Sequence, residues 1–259
     1  MSSKKVVPAI FLFAHPDDEC GVFQVLSTKL TQLSEIHCIF FTSGTPSGFK
    51  SNIRESESLA VLASMGLSSS NIHFFGAEYR IPDGRLVLHM EHASSLLLNF
   101  LSKFTDGFNL YIPAWEGGHP DHDALHAIGT VVAKKKEALG TTFQYPLYNA
   151  YLCKGPFFKV LTPLPENGPV IHEKIPYSKR LIFLKYCLSY PSQAKTWIGL
   201  FPFFVMHYIF KPLQSLQAIS FSRLKSRPHN GELYYEKRKF STWEIVRKKV
   251  EDLIQSMEK

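Results

Sequence analysis

The stretch Val6-Val7-Pro8-Ala9-Ile10-Phe11-Leu12-Phe13-Ala14 runs straight into His15-Pro16-Asp17-Asp18-Glu19, so an apolar segment stops abruptly on one imidazole and three carboxylates. A short, nearly continuous apolar run of this kind is buried on both faces of a parallel sheet. Three adjacent acids repel one another, and keeping them beside a His at a strand end calls for a cation. The same design returns far along the chain. Leu110 to Ala114 is again an apolar strand, and it leads into Trp115-Glu116-Gly117-Gly118-His119-Pro120-Asp121-His122-Asp123. Two His/Asp clusters on separate strand ends have the form of a metal site assembled from distant pieces.

Working outward from the first stretch, Val22, Val25, Leu26, Leu30 and Leu33 fall at helical spacing within 21–33. Ile36 to Phe41 reads as a second strand, ending in the loop Thr42-Ser43-Gly44-Thr45-Pro46-Ser47-Gly48. Asn52 to Met65 reads as a helix with Gly66 at its C-terminal end, where positive φ is wanted. Ile72 to Phe75 is a third strand, 91–104 a helix and Leu110 to Ala114 the fourth strand. After the second cluster come a helix over 121–139, a strand over 144–152, a Pro-rich irregular stretch over 156–169, and helices over 177–188 and 241–257. Strands alternating with helices imply a doubly wound, mostly parallel, Rossmann-like α/β domain with right-handed crossovers. In the strand order 3-2-1-4, strands one and four are neighbours at the switch point, and their carboxyl ends open into a ligand crevice. The topology alone then brings His15–Glu19 and His119–Asp123 together. We expect a single domain over residues 1–259, its α/β core in 1–152 and a less regular C-terminal elaboration in 153–259.

Composition narrows the setting. The chain has 259 residues, 45% of them hydrophobic, which is ample for one large core. Four cysteines without paired spacing fit a reducing, cytoplasmic compartment, and the N-terminal apolar run reads as a core strand instead of a signal peptide. The net charge of +7 is unevenly placed: from Lys174 onward 16 Lys and Arg face 6 Asp and Glu, so an anionic partner is sought there. The apolar segment Trp197 to Phe210 is too short to span a bilayer and contains Pro202. Flanked by Lys195 and Lys211, the segment 195–211 suits peripheral contact with the cytoplasmic membrane face, with core packing or an oligomer interface as the competing reading. No nucleic-acid partner is expected.

A catalytic zinc site takes three protein ligands and leaves a position for water. His15, Asp18 and His122 would supply two neutral imidazoles and one carboxylate. Water bound there ionises near neutrality and attacks a carbonyl carbon. Asp17, next to the ligands, is free to take the proton and pass it to a leaving nitrogen. His119 would stabilise the developing oxyanion, and Asp121 would hold the His119 ring in one orientation and raise its pKa. His126, four residues after His122, is an alternative ligand, with a supporting or surface position as the competing reading. Glu19 is read as structural at a helix start. The donor set also admits iron or cobalt.

His-Pro-Asp-Asp-Glu after the first strand and His-Pro-Asp-His after a later one resemble the hallmarks of the LmbE/PIG-L-like de-N-acetylase family. The likeness extends to Arg54-Glu55-Ser56-Glu57, which resembles the family's Arg-x-x-Glu helix, and covers about the first 150 residues. It implies zinc on His15, Asp18 and His122, Asp17 as general base, and removal of acetyl from an N-acetylated amino sugar, N-acetylglucosamine-like, on a lipid, nucleotide or glycan carrier. By the same likeness Arg54 holds a substrate hydroxyl or phosphate, with a salt bridge to Glu57 as the alternative. Two positions depart from the family pattern: Tyr190 stands where many members have His, and Gly117 where some have Tyr. Other readings of the same residues are a sugar-thiol conjugate amidase, a metal-dependent phosphoesterase, which would want two metals, and a catalytically silent sugar-binding protein.

Overall fold

The computed structural model describes residues 7–32, 34–45 and 52–258; the end of the Thr42–Gly48 loop and Met1 to Val6 lie outside them. The first half of the chain runs β1 (Ala9–Phe13), α1 (Phe23–Thr31), β2 (Ile36–Phe40), α2 (Asn52–Met65), β3 (Ile72–Phe74), α3 (Phe75–Glu78), α4 (Met90–Leu101) and β4 (Asn109–Pro113). There follow α5 (Pro120–Lys135), β5 (Thr142–Tyr145), β6 (Tyr148–Asn149), β7 (Lys159–Val160), β8 (Val170–Lys174), α6 (Tyr177–Cys187), α7 (Ala194–Phe210), β9 (Leu213–Ala218), α8 (Tyr234–Lys237) and α9 (Trp243–Glu258).

Seven strands form one sheet in the order β3-β2-β1-β4-β5-β9-β8. The first five are parallel, in register pairs such as Phe11 with Cys38 and Phe11 with Tyr111, while β9 pairs antiparallel with both β5 and the edge strand β8. The expected order 3-2-1-4 is thus the sheet's first half. Side chains alternate along β1: Ile10, Leu12 and Ala14 join α4, α5 and α9 on one face, while Ala9, Phe11 and Phe13 join α1, α2, α6 and α7 on the other.

Differences from the sequence reading have local causes. β1 begins at Ala9, because Pro8 has no N–H to give to the ladder, although its carbonyl accepts from Asn109 N at 2.8 Å. The single strand expected over 144–152 is cut in two at Pro146, and the shorter piece pairs with β7 outside the main sheet. The elements after residue 153 extend the same sheet through β8 and β9 and complete both helical layers through α6, α7 and α9. Among the described residues no helix is long and apolar enough to cross a membrane.

Candidate metal-centred active site

β1 and β4 are adjacent, and the chain leaves them toward opposite faces of the sheet, α1 on one and α5 on the other. The crevice between their carboxyl ends is the site's foundation. After Phe13 the backbone makes a tight turn in which Asp18 N donates to His15 O (3.2 Å) and Asp17 adopts φ 112°, a left-handed conformation that L side chains rarely take. His15 N donates to the Asp18 carboxylate at 2.8 Å. After β4, Asp123 folds the second turn by accepting from Glu116 N and Gly117 N (3.2 and 3.1 Å). His119 then caps α5: its Nδ1 accepts from Asp121 N at 3.2 Å, with Pro120 in the first helical turn. Gly118 is required there, since a Cβ would sit 2.1 Å from the Tyr148 carbonyl oxygen.

The two turns meet. His122 Nε2 lies 3.1 Å from Asp18 Oδ1 and His15 Nδ1 3.4 Å from Asp18 Oδ2, so one carboxylate is shared by imidazoles more than a hundred positions apart. Ring nitrogens of His15, His119 and His122 lie within 4.8 Å of one another. A third acid enters from a segment the sequence reading passed over: Asp83 Oδ1 is 3.1 Å from His15 Nε2, and its other oxygen is 3.5 Å from Arg54. Its only sequence signal is a Pro82-Asp83-Gly84 turn, which reads as punctuation.

Burial and charge set the electrostatics. Burial works to lower the His15 pKa, but the carboxylates of Asp83, Asp18 and Asp121 overcome it and hold the ring well above its usual value. Burial would raise Asp18, yet the His122 and His15 rings keep it well below the carboxylate range. Asp17 is pushed up to about 7 by burial, against the opposing pull of the Arg54 guanidinium. His119 is pushed down to about 3, by burial first and by the neighbouring His15 charge second, so the rise expected from Asp121 is outweighed. Several carboxylates packed around these rings demand positive charge, and His122 Nδ1 is a buried nitrogen with no hydrogen-bond partner among the described residues. Two imidazoles and a carboxylate are borderline-hard donors that suit a divalent cation such as zinc. The donor set therefore fits a metal.

These groups form the floor of a cavity of about 520 Å³, with His15, Asp17, Asp18, Arg54, Asp83 and His119 exposed to it. The walls are apolar and aromatic: Tyr148, Phe158, Trp197, Leu200, Phe204 and Phe240. Lys195, Arg238 and Tyr234 complete the lining. Tyr148 is aimed by Glu116, whose buried carboxylate accepts from Leu147 N, Tyr148 N and Asn149 Nδ2 at 2.7 to 3.0 Å.

Some expected contacts are made differently. The Asp121 carboxylate does not touch the His119 ring; it accepts from Gly84 N and Leu86 N (2.7 and 3.0 Å) and meets His15 Nε2 at 3.2 Å, and only the Asp121 backbone N–H reaches His119. Helix geometry explains this, because the cap bond uses the main chain and frees the side chain. Arg54 is buried and does not pair with Glu57: it donates to Pro16 O (2.6 Å), Gly44 O and Asp17 Oδ1 (3.1 Å), while Glu57 accepts from Ser192. His126 points away from the floor, its Nδ1 2.9 Å from Pro113 O and its ring against Trp115. Glu19 is fully buried and accepts from Asp17 N and from the Tyr190 hydroxyl (2.9 and 2.7 Å), so Tyr190 is a structural tie and does not line the cavity. Gly117 has φ 69°, and a Cβ there would meet Leu233 at 2.6 Å, which leaves no room for Tyr.

Residues 10–133 match the family of GlcNAc-PI de-N-acetylases, PIG-L. No curated protein matches the sequence. Among solved structures the chain resembles a triple mutant of a deacetylase in the teicoplanin biosynthetic pathway (15% identity, TM-score 0.63, covering 83% of this chain and 98% of that one). A zinc-inhibited form of the teicoplanin deacetylase is similar over 72% of this chain and 85% of its own (14% identity, TM-score 0.55). So is N,N'-diacetylchitobiose deacetylase from Pyrococcus horikoshii (13% identity, TM-score 0.61, covering 88% and 89%). At these identities the structures establish a shared fold. Both His-Pro-Asp turns lie inside the matched segment and sit on adjacent strand ends, so residues 10–133 resemble the PIG-L, or LmbE-like, family in the part of the chain that forms the floor of the site.

Proposed function

We propose that this chain is a metal-dependent de-N-acetylase that removes the acetyl group from an N-acetylated amino sugar, N-acetylglucosamine-like, carried on a lipid, nucleotide or glycan. The carrying observation is that His15, Asp17, Asp18 and His119 converge on the floor of one cavity from two turns distant in sequence. A cavity of about 520 Å³ suits a monosaccharide with part of its carrier. The name of the matched family and those of the teicoplanin and chitobiose deacetylases support the reaction class.

His15, Asp18 and His122 would hold the ion, zinc by preference. Bound there, it would supply Lewis acidity and an activated water. The remaining chemistry belongs to the side chains. Asp17, at about 7, can accept a proton and return it near neutral pH, so it serves as general base and then as acid toward the departing amine. Arg54 fixes the Asp17 carboxylate and is itself held by two backbone carbonyls, so its role here is to position Asp17. The His119 ring is neutral, and its Nδ1 already accepts a backbone N–H. Its single proton must then sit on Nε2, which makes it a hydrogen-bond donor for the amide oxygen as charge develops there, and not a metal ligand. Asp121 orients the opposite ring, His15. The four cysteines are unpaired, in keeping with a cytoplasmic setting.

The decisive test assays a panel of N-acetylated amino sugars for released acetate and free primary amine, beside phosphate release from sugar phosphates. Acetate release that requires metal supports the reading. Phosphate release without acetate, or binding without turnover, overturns it.

A further inference from the structure

Two neighbouring helices leave apolar faces in water. Along α7 the exposed positions Lys195, Ile198, Pro202, Met206, Ile209 and Phe210 recur at helical spacing and form one stripe, whose apolar members include Ile198 at 76% and Phe210 at 68% exposure. The opposite side of the same helix, through Trp197, Phe204 and Tyr208, is buried in the core. α6 repeats the pattern: Tyr177, Leu181, Ile182, Lys185 and Leu188 are exposed, Tyr177 at 77% and Leu181 at 69%, while Phe183 and Cys187 are buried. The helices pack together, with the Phe183 and Tyr208 rings 6.4 Å apart. Large aliphatic side chains concentrated this way mark a contact surface.

Charge identifies what covers it. Residues 174–231 contain nine Lys and Arg and no Asp or Glu. A second copy of the chain, docked through the same patch, would set this acid-free surface against itself. An anionic bilayer offers both an apolar layer for Ile198, Met206, Ile209 and Phe210 and negative headgroups for Lys185, Lys195 and Lys211, whose long stems reach outward. With 17 residues and Pro202 inside, α7 lies along such an interface and does not cross it. The cavity adjoins this face, for Lys195, Gly199 and Leu200 of α7 also line it.

We propose that α6 and α7 dock the protein on an anionic lipid surface, beside the mouth of the cavity. This builds on the deacetylase reading, since the docked position serves an amino sugar whose carrier is held at the bilayer. The test is flotation of the full chain with vesicles of phosphatidylcholine, with and without phosphatidylglycerol. Wild type is expected to float with the anionic vesicles at low salt and to be released by high salt. The double variant Ile209→Glu, Phe210→Glu is expected to bind at least about tenfold more weakly. Both substitutions are at exposed positions outside the cavity, so acetate release from a water-soluble N-acetylated amino sugar is expected to persist. Loss of docking and loss of catalysis are thereby read separately. The proposal is overturned if wild type stays off anionic vesicles at low salt, if the double variant floats equally well, or if wild type is a stable dimer that the double variant dissociates.

Discussion

Asp17 shows how much of a site one residue can concentrate. It sits in a strained left-handed turn, its backbone N–H tied to Glu19, its carboxylate tied to Arg54, and its proton affinity lifted by burial. Asn tolerates positive φ better than other L residues and keeps an acceptor oxygen, so Asp17→Asn should leave the fold intact while removing the proton carrier. Acetate release is expected to fall by about 10²–10⁴-fold with an unchanged melting temperature; retained turnover would remove Asp17 from the chemistry. Tyr190 is tested differently. Its hydroxyl donates to buried Glu19 Oε1 at 2.7 Å, and Tyr190→Phe removes that bond. Urea unfolding should show a loss of about 1–3 kcal/mol.

The turn between β4 and α5 works as an element because its polar groups are spent on the backbone. Asp123 closes the turn, His119 caps the helix, and Glu116 reaches across to hold Tyr148. Burial lifts the Glu116 carboxyl from 4.5 to about 7, against the opposing effect of its Asn149 and backbone N–H bonds. The folded chain then binds this proton more tightly than the unfolded chain does. Its contribution to stability is complete below 4.5 and is lost as pH rises through about 7. Glu116→Gln is therefore expected to flatten the fall in melting temperature across that window, measured by calorimetry at a series of pH values; an unchanged slope would assign the titration elsewhere. The elements that carry motifs were legible from sequence for a physical reason: β1, β4 and α5 are buried on both sides, so their hydrophobic runs are continuous and their ends abrupt. β8 and β9 were not legible, because the edge strand β8 and its buried neighbour β9 carry His, Glu, Lys, Gln and Ser among their apolar residues and so give little continuous apolar signal.

At the scale of the whole molecule, the cavity is a joint product of both halves of the chain. Its floor comes from turns before residue 123, and its walls come largely from residues after 147. A divalent ion held by His15, Asp18 and His122 would bridge turns from β1 and β4 and so stabilise the folded state by mass action. Chelation should lower the melting temperature and abolish acetate release together, and added zinc should restore both. A chelated protein that melts and turns over unchanged would rule out the metal.

The sequence by itself determined the parallel core, the adjacency of β1 and β4 and the convergence of the two His-Pro-Asp turns, since hydrophobic continuity and crossover handedness leave few other arrangements. Tertiary structure alone decided which ring each carboxylate serves, why Arg54 faces Asp17 instead of Glu57, and how Asp83, Tyr148 and Trp197 reach the cavity. Those outcomes turn on ångström distances between segments far apart in the chain, and no local spacing encodes them.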